Sequence, residues 1–571
     1  MLYFENLIRN DFFPAELPPC FNTNDLASNH IHLMNIINNN IEDKSYSNPI
    51  IYSGYKNENA RRKFAVPNPI QYFKTVDILV KNSKDLMLIF GKSSYSLSCP
   101  INRKPKEDES FVKKSRRISD TKEEIERLYQ NNLFEIKLDI NSFFDSIYTH
   151  SIPWAIHGKA QAKNNRSSSF YGNLLDVCIR NMNSQQTNGI LVGNAVSRII
   201  SEIILCQIDY KISQRYSQIM CRRFVDDYYI FLNDEALKKG VISFIRSELS
   251  QYELILNENK AEMLESPFVF DKPWIEEIKH LIHLEPDIFM DKLAMTFQKY
   301  KDISTMRYGL KVLSFHLYNR KKWPVIQSKL INIWARFPSL TDIILPILVK
   351  NKNYIQQTNV KKVIYDIIEN STALLHHQEL IWAVWCVKVL NIKISLEYIK
   401  KIVDSRNSMA IIILLDIIQD PKYSKSSKSM LAILSSLKSE IVLEDLNIEG
   451  KSGFMMTGKE WLLAYEADLN GWLDFDGTAF DYAKKDIFFS ELIAIKVKFY
   501  NNNFEYELNE NVGPNKTNIL TRKEFYQGMQ KLKVWIEKHF ESNKLEKSDL
   551  DIDFSEFEFL DKLDEFASSD Y

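Results

Sequence analysis

Glycine is scarce in this chain, 15 of 571 residues, against a usual share of ~7%. A sequence so short of residues that take positive φ freely is read as mainly helical. Cys20, Cys99, Cys178, Cys206, Cys221 and Cys386 stand far apart with no CxxC pair, which argues against a disulfide framework or a zinc ribbon and for a reduced chain. Neither sign of charge dominates: Lys+Arg 73 against Asp+Glu 74 gives a net charge of −1, so no global field marks a polyanionic partner and only a local groove can. The apolar run from Met409 to Leu415 stops at Asp416, far short of the ~18 residues a membrane span needs. Glu5, Arg9 and Asp11 interrupt the amino-terminal stretch, so it lacks the apolar core of a signal peptide. The expectation is a soluble, cytoplasmic protein with no membrane partner.

What is present is ordinary globular material: hydrophobic residues at 45% and charged residues at 26% allow sizeable cores, and the length sets a prior of roughly three to four folding units. Residues 1–75 mix turn formers with short apolar runs, punctuated by Pro14, Pro18, Pro19, Pro67 and Pro69. A polar stretch from Arg103 to Arg117 carries seven basic residues against three acidic ones, a solvated loop or one wall of a nucleic-acid path. In FEIKLDINSFFDSI (134–147), Phe134, Ile136 and Leu138 alternate with Glu135, Lys137 and Asp139, which predicts a strand running into a helix. Residues 193–213 follow helical spacing through Val196, Ile199, Ile200, Ile203 and Ile204. CRRFVDDYYIFL (221–232) is dense in β-formers on both sides of two aspartates, which predicts a hairpin with the carboxylates at its tip. After about residue 275 amphipathic helical patterns follow one another, as at 360–370, 378–392 and 408–418. Residues 545–571 hold ten acids against two lysines and end in Tyr571, an acidic tail.

Asp226 and Asp227 are the chemically telling pair. Adjacent like charges inside a run of β-formers are costly unless a cation binds them. Asp139 ends another strand pattern. Three carboxylates converging from two strands offer oxygen ligands to two hard divalent cations, an arrangement suited to phosphoryl transfer.

In order the chain reads Leu138-Asp139-Ile-Asn-Ser-Phe-Phe144, Gly189-Ile-Leu-Val-Gly193-Asn-Ala-Val-Ser197-Arg198, Phe224-Val225-Asp226-Asp227 and Leu256-Asn257-Glu258-Asn259-Lys260. These segments resemble the successive motifs of a reverse transcriptase palm, with Phe-Val-Asp-Asp in place of YxDD. The stretch from Ser146 to Lys159, with Lys163 and Arg166 following, and Ala60-Arg-Arg-Lys-Phe-Ala-Val-Pro-Asn-Pro69 further resemble the bacterial antiphage-defence reverse transcriptases, the abortive-infection (Abi) group and its defence-associated relatives. The specific motifs span about residues 50–265.

The resemblance implies an α+β fold: right-hand fingers and palm followed by a long all-helical, repeat-like carboxy-terminal domain. The expected divisions are fingers and amino-terminal region at 1–130, palm at 131–270, helical thumb replacement at 271–544 and acidic tail at 545–571. It implies that Asp139, Asp226 and Asp227 ligate two Mg²⁺ ions, with Mn²⁺ as a substitute. Phe144 would be the gate against a ribose 2′-hydroxyl, and Lys260 a proton donor to departing pyrophosphate. Arg61 or Arg62 would grip the incoming triphosphate, a planar fork against phosphate oxygens, and Gly193 would let backbone approach the nucleotide. Leu191-Val192 replaces the Pro-Gln that many retroviral and intron enzymes carry before that glycine, a change compatible with relaxed template dependence.

The activity implied is a DNA polymerase of antiphage defence that joins dNTPs. It would be protein-primed on a tyrosine and either template-independent or templated by a partner noncoding RNA, with single-stranded DNA as product and a homo-oligomer as the working form. Tyr52 and Tyr55, on a Ser-Gly punctuated segment, and Tyr571, at the tail's end, are the priming candidates. The alternative is a catalytically degenerate palm acting as a nucleic-acid-binding scaffold, for which a damaged catalytic set would be expected. All three aspartates are present. His150 and His157 read as core or capping histidines, and Trp382, Trp385, Trp461 and Trp472 as core before base-stacking platforms.

Overall fold

The computed structural model describes residues 2–506 apart from 43–44, 101–124, 131, 168, 270–271, 314–321, 424–426, 447–455 and 476–477. The polar stretch at 103–117 and the acidic tail with Tyr571 lie outside the described residues.

Two sheets organise the amino-terminal half. Strands β1 (Ile50–Asn57) and β2 (Ala60–Val66) form an antiparallel hairpin. Tyr52 faces Phe64 across it with the rings stacked at 5.4 Å, and Gly54 faces Arg62. The second sheet runs β4-β5-β3-β6, from β3 (Phe134–Leu138), β4 (Met220–Phe224), β5 (Asp227–Leu232) and β6 (Glu262–Glu265), every neighbouring pair antiparallel.

The expected strand-to-helix passage is there, with β3 leading to a helical turn at Phe143–Ser146. One detail departs from simple alternation. Glu135 was expected on the polar face, yet it is 1% exposed, on an inner strand paired with β5 on one side and β6 on the other. Burial raises its pKa, and Lys137 at 3.9 Å offsets only part of that.

Helix Ala195–Arg215 packs behind this sheet. Asn194 caps it, accepting from the Ser197 amide at 3.0 Å, the geometry that satisfies an orphan N–H of a first turn. Helix Pro69–Lys81 starts the same way, with Asn68 accepting from Ile70 N–H at 3.1 Å and proline in the first turn, where its missing N–H costs nothing. Past β6 the described residues form helices and short turns with no further ladder strand. Helices Gln357–Leu374, His377–Val389 and Ser408–Ile417 stand where helical patterns are expected, but only the first is amphipathic; the other two are buried on nearly every side.

The halves are interlocked, because one apolar core runs from Leu2 to Tyr500. Hairpin β1–β2 lies on the start of helix His377–Val389. The Ser53 amide donates to His377 Nδ1 at 3.3 Å, the Tyr55 amide to Gln378 Oε1 at 2.8 Å, and Ser53 Oγ to the Leu375 carbonyl at 2.8 Å. Near the other end of the described chain, Asn22 N–H donates to the Phe499 carbonyl at 3.0 Å and Asn501 N–H to the Cys20 carbonyl at 2.7 Å, so residues 20–22 and 499–501 pair with each other. Trp382, Trp385, Trp461 and Trp472 are buried in this core.

Candidate active site

The site is built where β3 ends and β4 turns into β5. Pairing of Phe224 with Asp227 leaves Val225 and Asp226 as a two-residue turn, and the pairing of Leu138 with Tyr228 sets the end of β3 beside the start of β5. Asp139, Asp226 and Asp227 therefore gather at one edge of the sheet, as the hairpin reading expects. Asp139 is held from a third side. Its backbone carbonyl accepts from Asn257 N–H at 2.8 Å, and its Oδ2 takes Asn257 Nδ2 at 3.0 Å and Lys260 Nζ at 2.8 Å.

The electrostatics are those of a carboxylate cluster short of positive charge. Asp226 is pushed up to about 7, first by burial, then by Asp227 and Asp139, with Arg62 pulling the other way. Asp227 keeps an open face but sits in a protein-crowded concavity. Loss of water there and the charge of Asp139 push it up to about 6, against Lys260. Lys260 is raised in turn by its hydrogen bond to Asp139. The Lys260 ammonium offsets part of the negative charge at Asp139. Oxygen-only donors that repel one another when ionised fit a hard divalent ion such as Mg²⁺.

The two arginines left open by the sequence separate. Arg61 is committed elsewhere: Nη1 and Nη2 donate to the two Glu379 carboxylate oxygens at 2.6 and 2.5 Å, Nη2 also to the Ser53 carbonyl at 3.1 Å, and Nε to Ser53 Oγ at 3.2 Å. Arg62, its neighbour on the opposite face of β2, is exposed, and its charge reaches Asp226. The cluster thus brings together Asp139, Asp226, Asp227, Lys260 and Arg62, and leaves Arg61 as a tie to the helical half.

Phe144 is half-buried, its ring 5.2 Å from Phe143, and its carbonyl accepts from Ile190 N–H at 2.9 Å. Gly193 has φ +109, and a Cβ there would lie 2.6 Å from Pro14 Cγ and 3.2 Å from Phe64 Cδ1. Packing alone therefore requires a glycine at this position. The preceding Val192 carbonyl accepts from Ala65 N–H at 3.1 Å, which docks this segment on β2. Tyr52 is 1% exposed, and the hydroxyls of Tyr52 and Tyr55 are enclosed with no hydrogen-bond partner among the described residues. Neither hydroxyl is presented to an incoming nucleotide in this arrangement.

Sequence reasoning passed over the layer behind the turn. Arg223 is fully buried and bound to Glu202 and Asp209. Two acids seven residues apart, on the face of the helix that carries its buried isoleucines, were the available signal, since a buried acid calls for a buried cation. Cys99, Cys206 and Glu202 also converge there, but each Glu202 oxygen already accepts from Arg223 and a serine, Ser98 on Oε1 and Ser96 on Oε2. The histidines fall out as structural: His150 Nδ1 lies 2.6 Å from Asp176, and His157 Nε2 accepts from Gly172 N–H at 3.1 Å.

Three aspartates clustered at one sheet edge, with a lysine bound to one and the charge of an arginine reaching another, form a candidate cation-binding site. Residues 100–283, about a third of the chain, match the family described as reverse transcriptase (RNA-dependent DNA polymerase). Solved structures to which it is similar include telomerase from Candida albicans with a TWJ fragment of telomeric RNA, at 12% identity over 58% of this chain and 67% of that one, TM-score 0.28. Apo telomerase from Candida tropicalis gives 12% identity over 61% and 66%, TM-score 0.30. None of the curated proteins matches it. No helix among the described residues is long and apolar enough to cross a membrane.

Proposed function

We propose that this chain is a reverse transcriptase-like DNA polymerase of antiphage defence. The observation that carries the polymerase reading is the gathering of Asp139, Asp226 and Asp227 at one sheet edge, with Lys260 bound to Asp139 and the charge of Arg62 reaching Asp226. The defence assignment rests on the likeness of residues 60–69 and 146–166 to that group.

Divalent cations held by the three aspartates would supply activation of the attacking hydroxyl and neutralisation of the leaving pyrophosphate. Arg62 binds the triphosphate, a role Arg61 cannot share while its guanidinium is closed on Glu379. Lys260, already charged and hydrogen-bonded beside Asp139, holds a proton for the departing pyrophosphate. Phe144 excludes a 2′-hydroxyl. Of the three priming candidates, the enclosed hydroxyls of Tyr52 and Tyr55 leave Tyr571.

The test is incorporation of labelled dNTP by the nuclease-treated chain with Mg²⁺ and no added template or primer, with Asp226→Asn/Asp227→Asn as control. Label that travels with the protein, shifts on proteolysis and disappears in the control supports protein-primed synthesis. Label only after the co-purifying RNA is returned supports templated synthesis. Silence in both, with defence intact in the control variant, overturns the polymerase reading in favour of a scaffold.

A further inference from the structure

Val225 sits at φ +53, a left-handed conformation that a β-branched residue avoids. Something must hold it there, because the residue on its carboxy-terminal side is Asp226 and the next is Asp227. Both of its backbone polar groups are taken. Its N–H donates to Ser98 Oγ at 2.9 Å, and its carbonyl accepts from Arg223 Nη1 at 2.7 Å.

Neither partner is free to drift. Residues 95–98 lie along the edge of β4: Arg223 N–H donates to the Tyr95 carbonyl and Leu97 N–H to the Arg223 carbonyl, each at 2.8 Å. Ser98 in turn donates to Glu202 Oε1 at 2.8 Å. The Arg223 guanidinium is fully buried. Nη1 and Nη2 reach the two Glu202 oxygens at 3.0 Å each, while Nε and Nη2 reach Asp209 at 3.0 and 2.8 Å. Ser93 and Tyr228 hydroxyls fix Asp209 from the other side at 2.6 and 2.9 Å. Every donor of the fork is used, so it has one orientation.

We propose that Ser98 and Arg223 are positioning residues that clamp the Val225–Asp226 turn in its left-handed form and so fix where the carboxylates meet a divalent cation. The clamp rests on the reading that Asp139, Asp226 and Asp227 hold such ions. Helix Ala195–Arg215 is then the foundation of the site: its two buried acids set the arginine, and the arginine and serine set the turn.

Arg223 lies too deep for a clean deletion, so the test is made at Ser98. Mn²⁺ binding to the full chain is measured by electron paramagnetic resonance, with thermal unfolding alongside, for the unaltered protein, Ser98→Ala, Ser98→Thr and Asp226→Asn. Losing one hydrogen bond to the turn should weaken Mn²⁺ binding about three- to tenfold at an unchanged Tm, and Ser98→Thr, which keeps the hydroxyl, should recover it. Ser98→Ala binding Mn²⁺ like the unaltered protein overturns the proposal. If Tm falls together with affinity, Ser98→Ala/Val225→Gly decides. Glycine takes this φ without help, so recovered affinity supports the clamp and unrecovered affinity overturns it. A chain that binds Mn²⁺ in an Asp226-dependent way but incorporates no dNTP removes the polymerase reading and leaves the clamp standing. No Asp226-dependent binding overturns both.

Discussion

Arg61 and Arg62 are adjacent and chemically identical, yet the structure gives them opposite fates, and that is open to a direct test. Arg61→Ala removes the cation from Glu379, whose side chain is only 5% exposed. Breaking a buried pair from one side costs ~3–5 kcal/mol. Arg61 keeps 25% exposure, which places this pair at the lower end, ~3 kcal/mol, or a more than hundredfold shift in local opening. Amide hydrogen exchange across residues 50–66 should report it as lost protection of β1 and β2, with the start of helix His377–Val389 loosening in step. Arg61→Met/Glu379→Leu should recover most of the loss, because matched apolar replacements of a buried pair are often neutral. Arg62→Ala should leave the exchange pattern alone and raise the KM for dNTP roughly tenfold or more, as expected for a lost charge-assisted contact. Unchanged protection in Arg61→Ala, or lost protection in Arg62→Ala, would refute the division of labour.

Three further outcomes are expected. Asp226 and Asp227 have pKa values raised to about 7 and about 6, so the metal-free protein gains from their protonation and loses that stability as pH rises from about 4 through 7. The Tm increase on adding Mg²⁺ should therefore be larger at pH 8 than at pH 5.5, and Asp226→Asn should flatten the difference; equal increases at both pH values would contradict it. Phe144→Ala should erode discrimination against ribonucleotides by about tenfold or more (~1.4 kcal/mol) with dNTP incorporation retained, read from competing dNTP and rNTP incorporation. Gly193→Ala combines positive φ with a Cβ driven into Pro14, and should cost ~1–3 kcal/mol in chemical denaturation; a neutral result would show that Pro14 yields.

The sequence was most informative where chemistry and local pattern coincide. Asp139 at the end of an alternating run, and Asp226-Asp227 between β-formers, gave the strand, the hairpin tip and their convergence, and the apolar spacing of 193–213 gave the helix behind them. Glycine scarcity anticipated the helical carboxy-terminal half. What stayed hidden depends on partners distant in the chain. Alternation along β2 says that Arg61 and Arg62 face opposite ways, but not which way is inward. That is decided by Glu379, 318 residues from Arg61. Tyr52 looked mobile beside a Ser-Gly pair, and only the stacking on Phe64 and the helical half over the hairpin enclose it. The Arg223 layer needed three segments, 93–98, 202–209 and 223–228, to be seen at once.

The clasp between residues 20–22 and 499–501 has a consequence for synthesis of the protein. The segment that completes the packing of the first twenty residues is among the last of the described chain to leave the ribosome, roughly 25–100 s later at ordinary elongation rates. Until then Phe12 and Phe13 lack Phe499, and Phe21 lacks Tyr500. Pro14, against which Gly193 packs, stands in the same unfinished region. A nascent chain thus carries its aspartates long before the packing around Gly193 is complete, and a version cut before residue 499 should stay in that unfinished state, with its first twenty residues open to protease.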